Sequence, residues 1–315
     1  MIVVPALHPA HDLIVRIDRL SPGAVGRVPS DAVVSGVGGK AVNVALAIAA
    51  MEVPVRLVVC GDAALLEGVR GRAAGHQHLE LVAIPSPVPT RTDIALVEGS
   101  GRLTVINATG ADPGRDVVDR VISGALDGLA FGDVLVLGGS TPDNTAAAHA
   151  DIARGAVSHG VRVVVDASGP TLTGLLETRP EAVKISAAEA LELGSGEAPG
   201  DAGRPVALAT VPIVGITDGA AGLRAWLPDA RAARVMPPPD LSVVGTLGTG
   251  DAVTAGLAIA LARGDDPLDG FVLGTAMAAS TLDHLDPRVD RVVAERLLDA
   301  VRVIPLAGHG SRDGA

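Results

Sequence analysis

The stretch GGKAVNVALAIAAMEVPVRLVV, Gly38 to Val59, joins a diglycine to an alanine-rich run and then to a short β-branched run. Val42 to Met51 reads as a helix. Val55 to Val59 reads as a buried strand, because apolar residues follow one another there instead of alternating with polar ones. The same unit recurs along the chain. Val134–Leu137, Val161–Val165 and Pro212–Ile216 are strands of this kind, and Asn144–Ser158, Ala187–Leu193 and Ala252–Arg263 are helical. Strands alternating with helices predict an α/β fold with a mostly parallel sheet covered on both faces. In such sheets ligands gather at the carboxyl ends of the strands.

Two segments, Leu13–Val34 and Pro89–Asn107, break the rhythm with more polar alternation. Asp93–Glu98 and Arg102–Ile106 flank Gly99-Ser100-Gly101, which predicts a β-hairpin with a glycine turn. Together the two segments predict a small strand-built flap projecting from the main sheet. Gly194–Pro205 and Val235–Asp240 read as loops and His309–Ala315 as a frayed tail.

Composition narrows the chemistry. Phe131, Phe271 and Trp226 are the only aromatic residues, so a bound base or sugar has almost no ring to stack on. The net charge of -11 argues against a nucleic-acid partner, which needs a broad basic surface. Cys60 is the only cysteine, which leaves no internal disulfide or cysteine-rich zinc site and fits a reducing cytoplasm. The start lacks the pattern of a signal peptide, and no apolar run has the length of a membrane span. A cytoplasmic protein without membrane partners is expected. His76 and His78, like His8 and His11, lack the further ligands of a zinc site.

Gly245-Thr246-Leu247-Gly248-Thr249-Gly250-Asp251 opens the helix Ala252–Arg263. Glycines there let successive N–H groups converge on one point, and the helix adds about half a positive charge at its N-terminus. This is an anion hole, although an ordinary Asp N-cap is the plain alternative. The loop lacks the Gly-Lys-Ser/Thr of a Walker A motif, and Val253 stands where a dinucleotide fingerprint needs its third glycine. A carboxylate beside a bound phosphate repels it unless it serves as a base toward an incoming hydroxyl. Gly38-Gly39-Lys40-Ala41-Val42-Asn43 forms a second glycine-led helix start, where Asn43 can offer a donor and an acceptor to sugar hydroxyls or satisfy the local backbone. Lys40 and Lys184 are the only lysines among 25 basic residues, and a compact ammonium suits a phosphate oxygen in a tight pocket.

Asp12 after His8-Pro9, then Gly38-Gly39-Lys40-x-x-Asn43, then Gly248-Thr249-Gly250-Asp251, in this order, resemble the ribokinase/phosphofructokinase-B family of carbohydrate kinases. The similarity is greatest to the branch of 1-phosphofructokinases and tagatose-6-phosphate kinases, and runs from about Ile2 to Leu282. The resemblance implies a ribokinase-like three-layer α/β/α sandwich with a mostly parallel central sheet and a small β-sheet lid. It implies a single carbohydrate kinase domain over 1–315, the lid being formed by about 12–36 and 88–108. Asp251 matches the catalytic base, and Gly248, Thr249 and Gly250 match the anion hole. Asp12, Arg27, Gly38, Gly39, Lys40, Asn43, Arg91 and Ser140 match the substrate site, with Arg102 a further lid arginine. Lys184, Ser186, Glu189, Thr217, Gly219 and Gly222 match the ATP site, and Glu189 is expected to hold Mg2+ through water. As a plain helix-start charge Glu189 needs no such role.

Lys184-Ile185-Ser186-Ala187-Ala188-Glu189 departs from the branch's Lys-Pro-Asn-x-x-Glu, and Ser186 reaches less far than asparagine. The activity implied is ATP-dependent phosphorylation of a primary hydroxyl on a ketohexose phosphate. The alternatives are a kinase of an unphosphorylated sugar or nucleoside, and a catalytically impaired sugar-phosphate or nucleotide-binding protein. A homodimer through the lid is a further expectation.

Overall fold

A computed structural model describes residues 1–142, 145–193 and 204–306. In chain order the first elements are β1 (Ile2–Ala6), β2 (Ala10–Ile17), β3 (Val33–Gly38), α1 (Lys40–Ala50), β4 (Val55–Gly61), α2 (Ala63–Ala73), β5 (Leu79–Pro85), β6 (Arg91–Glu98) and β7 (Leu103–Asn107). There follow α3 (Arg115–Leu126), β8 (Val134–Gly138), α4 (Ala146–Ser158), β9 (Arg162–Asp166), α5 (Gly169–Leu176), β10 (Ala182–Ser186) and α6 (Ala187–Glu192). The last are β11 (Ile213–Thr217), β12 (Leu223–Trp226), β13 (Ala232–Met236), α7 (Thr249–Arg263), α8 (Pro267–Thr281), α9 (Arg291–Leu297) and β14 (Arg302–Pro305).

The large sheet has the order β14-β13-β12-β11-β10-β9-β8-β1-β4-β5. It runs parallel from β11 to β5, and β12, β13 and β14 extend it antiparallel. Its parallel strands are apolar on successive residues because both faces are covered. Ile2, Val4, Leu57, Val134 and Val136 pack with α1, α2, α7, α8 and α9 on one side. Val3, Val58, Leu135, Leu137 and Val163 pack with α3, α4, α5 and α6 on the other. Three layers result, and β1, lying between β4 and β8, is where chain order reverses.

A separate four-stranded sheet, β3-β2-β6-β7, has its own small core of Ile14, Ala95 and Val97. β2 and β6 run parallel, and β6 turns back into β7 through Glu98–Gly101. Val235 and Met236, expected in a loop, belong instead to β13, which is bonded on both edges by β12 and β14. β14 carries too little pattern to be read as a strand beforehand. The loop over 194–203, the start of the helix at Asn144 and the tail from His309 lie outside the described residues.

Candidate active site

The carboxyl ends of the parallel strands open into one cavity of about 1290 Å³, closed on its far side by the small sheet through Asp12, Ile14, Ile94 and Leu103. Drug-sized ligands occupy roughly 300–1,000 Å³, so this space suits two substrates side by side.

Gly248 is the N-cap of α7 at φ +75, and a side chain there would run into the Pro287 ring. Only glycine fits this left-handed, crowded position. The helix start has no side-chain cap, so the partial positive charge of its first turn faces the cavity wall formed by Thr249, Gly250 and Asp251. Asp251 is only 7% exposed, and Asn43 Nδ2, one turn into α1, donates to its Oδ2 at 2.9 Å. Burial and then the negative charge of Asp166 push the Asp251 carboxyl up to about 6, against the pull of Lys40, Lys184 and Asn43. A carboxyl near that value takes up and releases a proton close to neutrality.

The chain's two lysines converge on Asp166, the last residue of β9, which is fully buried. Lys40 Nζ reaches its Oδ1 at 2.9 Å, and Lys184 Nζ reaches its Oδ2 at 2.7 Å. Thr254 Oγ1, on the buried face of α7, donates to Oδ2 at 2.6 Å. Burial alone raises the Asp166 carboxyl, but the charges of Lys184 and Lys40 outweigh it and hold the group well below the usual carboxylate range. Lys184 alternates with Val183 and Ile185 along β10, so it points toward α7 while they pack against the opposite helices. The result is a fixed, ion-paired cluster beside Gly250 and Asp251, in which two ammonium groups share one carboxylate.

Ser186 and Glu189 close a capping box at the start of α6. Glu189 Oε2 accepts from Ser186 N at 2.7 Å and from Ser186 Oγ at 2.9 Å, while Lys40 Nζ donates to Oε1 at 3.0 Å. Burial opposes ionisation of Glu189, but Lys40 and the Ser186 N–H lower its pKa overall.

At the other end of the cavity Asp12, on β2, lies against the Cα of Gly38, where any side chain would overlap its Oδ2. Burial and the neighbouring Asp93 push the Asp12 carboxyl up to about 6. Arg91 Nη1 donates to Asp93 Oδ1 at 3.0 Å and to Ala108 O at 3.2 Å, and its Nη2 to His8 O at 3.2 Å. The His8 ring meets Ser140 Oγ at 2.9 Å through Nδ1, and burial lowers its pKa to about 4. Toward the antiparallel edge, Thr217, Gly219 and Gly222 line the cavity beside Met236 and Val243.

Asp12, Gly39, Lys40, Asn43, Arg91, Ser140, Lys184, Ser186, Glu189, Thr217, Gly219, Gly222 and Gly248–Asp251 thus share one cavity wall. Gly38 stands immediately behind it. Arg27 does not join them: it is exposed in the connection between β2 and β3. Arg102 is turned to Glu98 at the hairpin, with its Nε 2.7 Å from Oε1. The sequence reading missed Asp166, Thr254 and Asp93 as site residues. An acid ending a strand of consecutive apolar residues, as Asp166 does, was the available signal; nothing in the local sequence marks Thr254.

Such a site, at the carboxyl edge of a parallel sheet with an acid beside an open helix start, is that of a phosphotransferase acting on an alcohol. The family model for pfkB family carbohydrate kinases matches residues 11–290, and the chain belongs to that family. Its relatives include 1-phosphofructokinase of Rhodobacter capsulatus, 31% identical over 96% of this chain and 98% of that protein. Another is 1-phosphofructokinase of Xanthomonas campestris pv. campestris, 30% identical over 96% of each. Among solved structures, phosphofructokinase-2 of Escherichia coli in complex with substrates and products shares the fold at TM-score 0.81 and 20% identity, covering 95% of this chain and 97% of that one. Ribokinase of Arabidopsis thaliana with ribose and ATP does so at TM-score 0.68 and 19% identity, covering 94% and 97%. The fold is therefore ribokinase-like. Among the described residues no helix is long and apolar enough to cross a membrane.

Proposed function

We propose that this chain is an ATP-dependent kinase that phosphorylates a primary hydroxyl of a ketohexose phosphate to give a bisphosphate. The observation that carries the reading is Asp251: a buried carboxyl raised to about 6, held by Asn43 in the first turn of an uncapped helix. The names of the two relatives support the substrate class. In this reading ATP lies along the Thr217–Gly222 edge with its γ-phosphate at the N-terminus of α7. The sugar lies at the small-sheet end, its hydroxyls on Asp12 and Asn43. Asp251 removes the proton from the sugar CH2OH as its oxygen attacks the γ-phosphorus, and the bond to the β-phosphate oxygen breaks to release ADP. Lys40 and Lys184, already gathered on Asp166, place two positive charges where phosphoryl charge develops. The small sheet acts as the lid that keeps water out.

Mg2+ is expected to arrive with the nucleotide. The residues fit an ion held through water: both oxygens of Glu189 already carry bonds, and among the described residues no cluster of three or more acidic, His or Cys side chains offers a direct cage. Bound there, it supplies charge neutralisation on the phosphates. A cytoplasmic setting accords with the free buried thiol of Cys60. A homodimer through the small sheet accords with exposed Val33 and Ile106 on its outer strands.

One observation favours the second reading, a kinase of an unphosphorylated sugar: Arg91 is engaged by Asp93, Ala108 and His8 rather than free for a phosphate. ADP release over fructose 1-phosphate, fructose 6-phosphate, tagatose 6-phosphate and fructose decides between them. A kcat/KM for one sugar phosphate at least ~100-fold above free fructose, about 2.7 kcal/mol, is the expected result. A preference for the free sugar overturns it, and tight ligand binding without any ADP marks an impaired enzyme.

A further inference from the structure

Arg72, in the last turn of α2, is not on the cavity wall, yet it joins two pieces of that wall. Its Nη1 donates to Val37 O at 2.8 Å and its Nη2 donates to Pro287 O at 3.1 Å. Val37 is paired with His11 across the small sheet and is followed by Gly38, against which the Asp12 carboxylate rests. Pro287 is the residue on which Gly248 rests. One guanidinium fork therefore spans from the backbone beside Asp12 to the backbone beside the start of α7. Arginine suits this task because its planar donors are fixed relative to one another, whereas lysine brings one flexible point charge.

We infer that Arg72 is a positioning residue for phosphoryl transfer, setting the small-sheet wall that holds the sugar at a fixed distance from the Gly248 turn that holds the phosphate. This rests on the reading of Asp12 and of Gly248–Asp251 as two halves of one site. Reactions between two bound partners are sensitive to such spacing, and an error of about 1 Å can cost roughly 100-fold. Arg72 also has an electrostatic part. The charged groups facing Asp12 are Asp93 and Arg91 on β6, Arg72 on α2 and Asp251 on α7; burial and Asp93 raise its pKa, while Arg72 and Arg91 lower it. Arg72 thus favours the ionised Asp12 that accepts a hydrogen bond from a sugar hydroxyl.

Arg70, in the same turn, meets only exposed Glu67, at 3.6 Å, and serves as the control for charge at a helix C-terminus. The test compares Arg72→Met, Arg72→Lys and Arg70→Met for kcat, KM and the pH dependence of sugar-phosphate binding, with thermal melts alongside. Arg72→Met is expected to lose roughly tenfold or more in kcat/KM. The acid limb of its binding profile is expected at higher pH than in the wild type, since removing a cation raises a carboxyl pKa; titration of the ligand's own phosphate cancels in the comparison. Arg72→Lys should keep the limb of the wild type but lose about fivefold in kcat, and Arg70→Met should match the wild type. If Arg72→Met does not fold, Arg72→Lys decides: a loss in kcat supports the inference and wild-type kcat overturns it. A folded Arg72→Met with unchanged kcat/KM and limb also overturns it. Asp12→Asn separates the two levels, because near-normal kinetics in that variant removes the underlying reading of Asp12 and not merely the role of Arg72.

Discussion

α6 and α7 direct their N-termini at the same cavity, and each carries an acid three residues past its N-cap: Glu189 after Ser186, Asp251 after Gly248. In α6 the serine hydroxyl and the glutamate bond each other's backbone, and the helix start is closed by its own side chains. In α7 the N-cap has no side chain, and the acid turns to Asn43 on another helix. Titration follows the same division, with Glu189 lowered and Asp251 raised to about 6. In this chain the serine N-cap turns its first-turn acid back onto the helix, and the glycine N-cap leaves its acid on the cavity wall.

Substitutions at the two helix starts should have unequal effects. Asp251→Asn is expected to lower turnover by roughly 100-fold or more while leaving the fold intact, the usual scale for a positioned base; steady-state kinetics with a thermal melt checks both. Gly248→Ala follows. It forces a side chain into a φ of +75 and against Pro287, which should cost about 1–3 kcal/mol of stability and, by tilting the amides, roughly tenfold in kcat. Denaturant melts and kinetics on the same preparation would show wild-type values if the turn were an ordinary one. Ser186→Ala has the smallest expected effect. It removes a cap worth about 1 kcal/mol, yet Lys40 still holds Glu189, so kcat should change by less than about threefold. A drop of two orders of magnitude would place Ser186 in the chemistry and erase the distinction between the helices.

The layered fold was legible because consecutive apolar residues, as in Val134–Leu137 and Ile213–Ile216, suit a strand covered on both faces and little else of that length. The site was legible where residues cluster locally, as in Gly248–Asp251 and Gly39–Asn43. It was less legible where the partners are remote. Asp166 and Lys40 are distant in sequence, and only the packing of α1 over β1, β4 and β8, beside α7 over β9 and β10, brings them together with Lys184. Arg27, given only an approximate place by its position before Gly38, is exposed in the connection between β2 and β3 and does not line the cavity. Ser186 looked like a shortened asparagine beside the nucleotide, although Ser186-x-x-Glu189 already has the spacing of the capping box that opens α6.

The central claim is that Asp251 accepts the proton, and the pH dependence of kcat in wild type and Asp251→Asn tests it most directly. The folded Asp251 carboxyl stands near 6 against 3.8 unfolded, so it is protonated, and idle as a base, below about pH 6. That shift by itself favours the folded state as pH falls from about 6 toward 3.8. His8 and His149, both lowered to about 4 from 6.5, act oppositely: the unfolded chain takes up their protons first, and stability is lost through that window. The folded fraction is therefore followed by circular dichroism at each pH. Saturating substrates report the complex rather than binding through Asp12. Wild-type kcat is expected to fall about tenfold per unit on the acid side of a limb that Asp251 sets, with Asp251→Asn flat across the same range and at least ~100-fold lower. The same acid limb persisting in Asp251→Asn, at turnover close to wild type, would contradict the assignment.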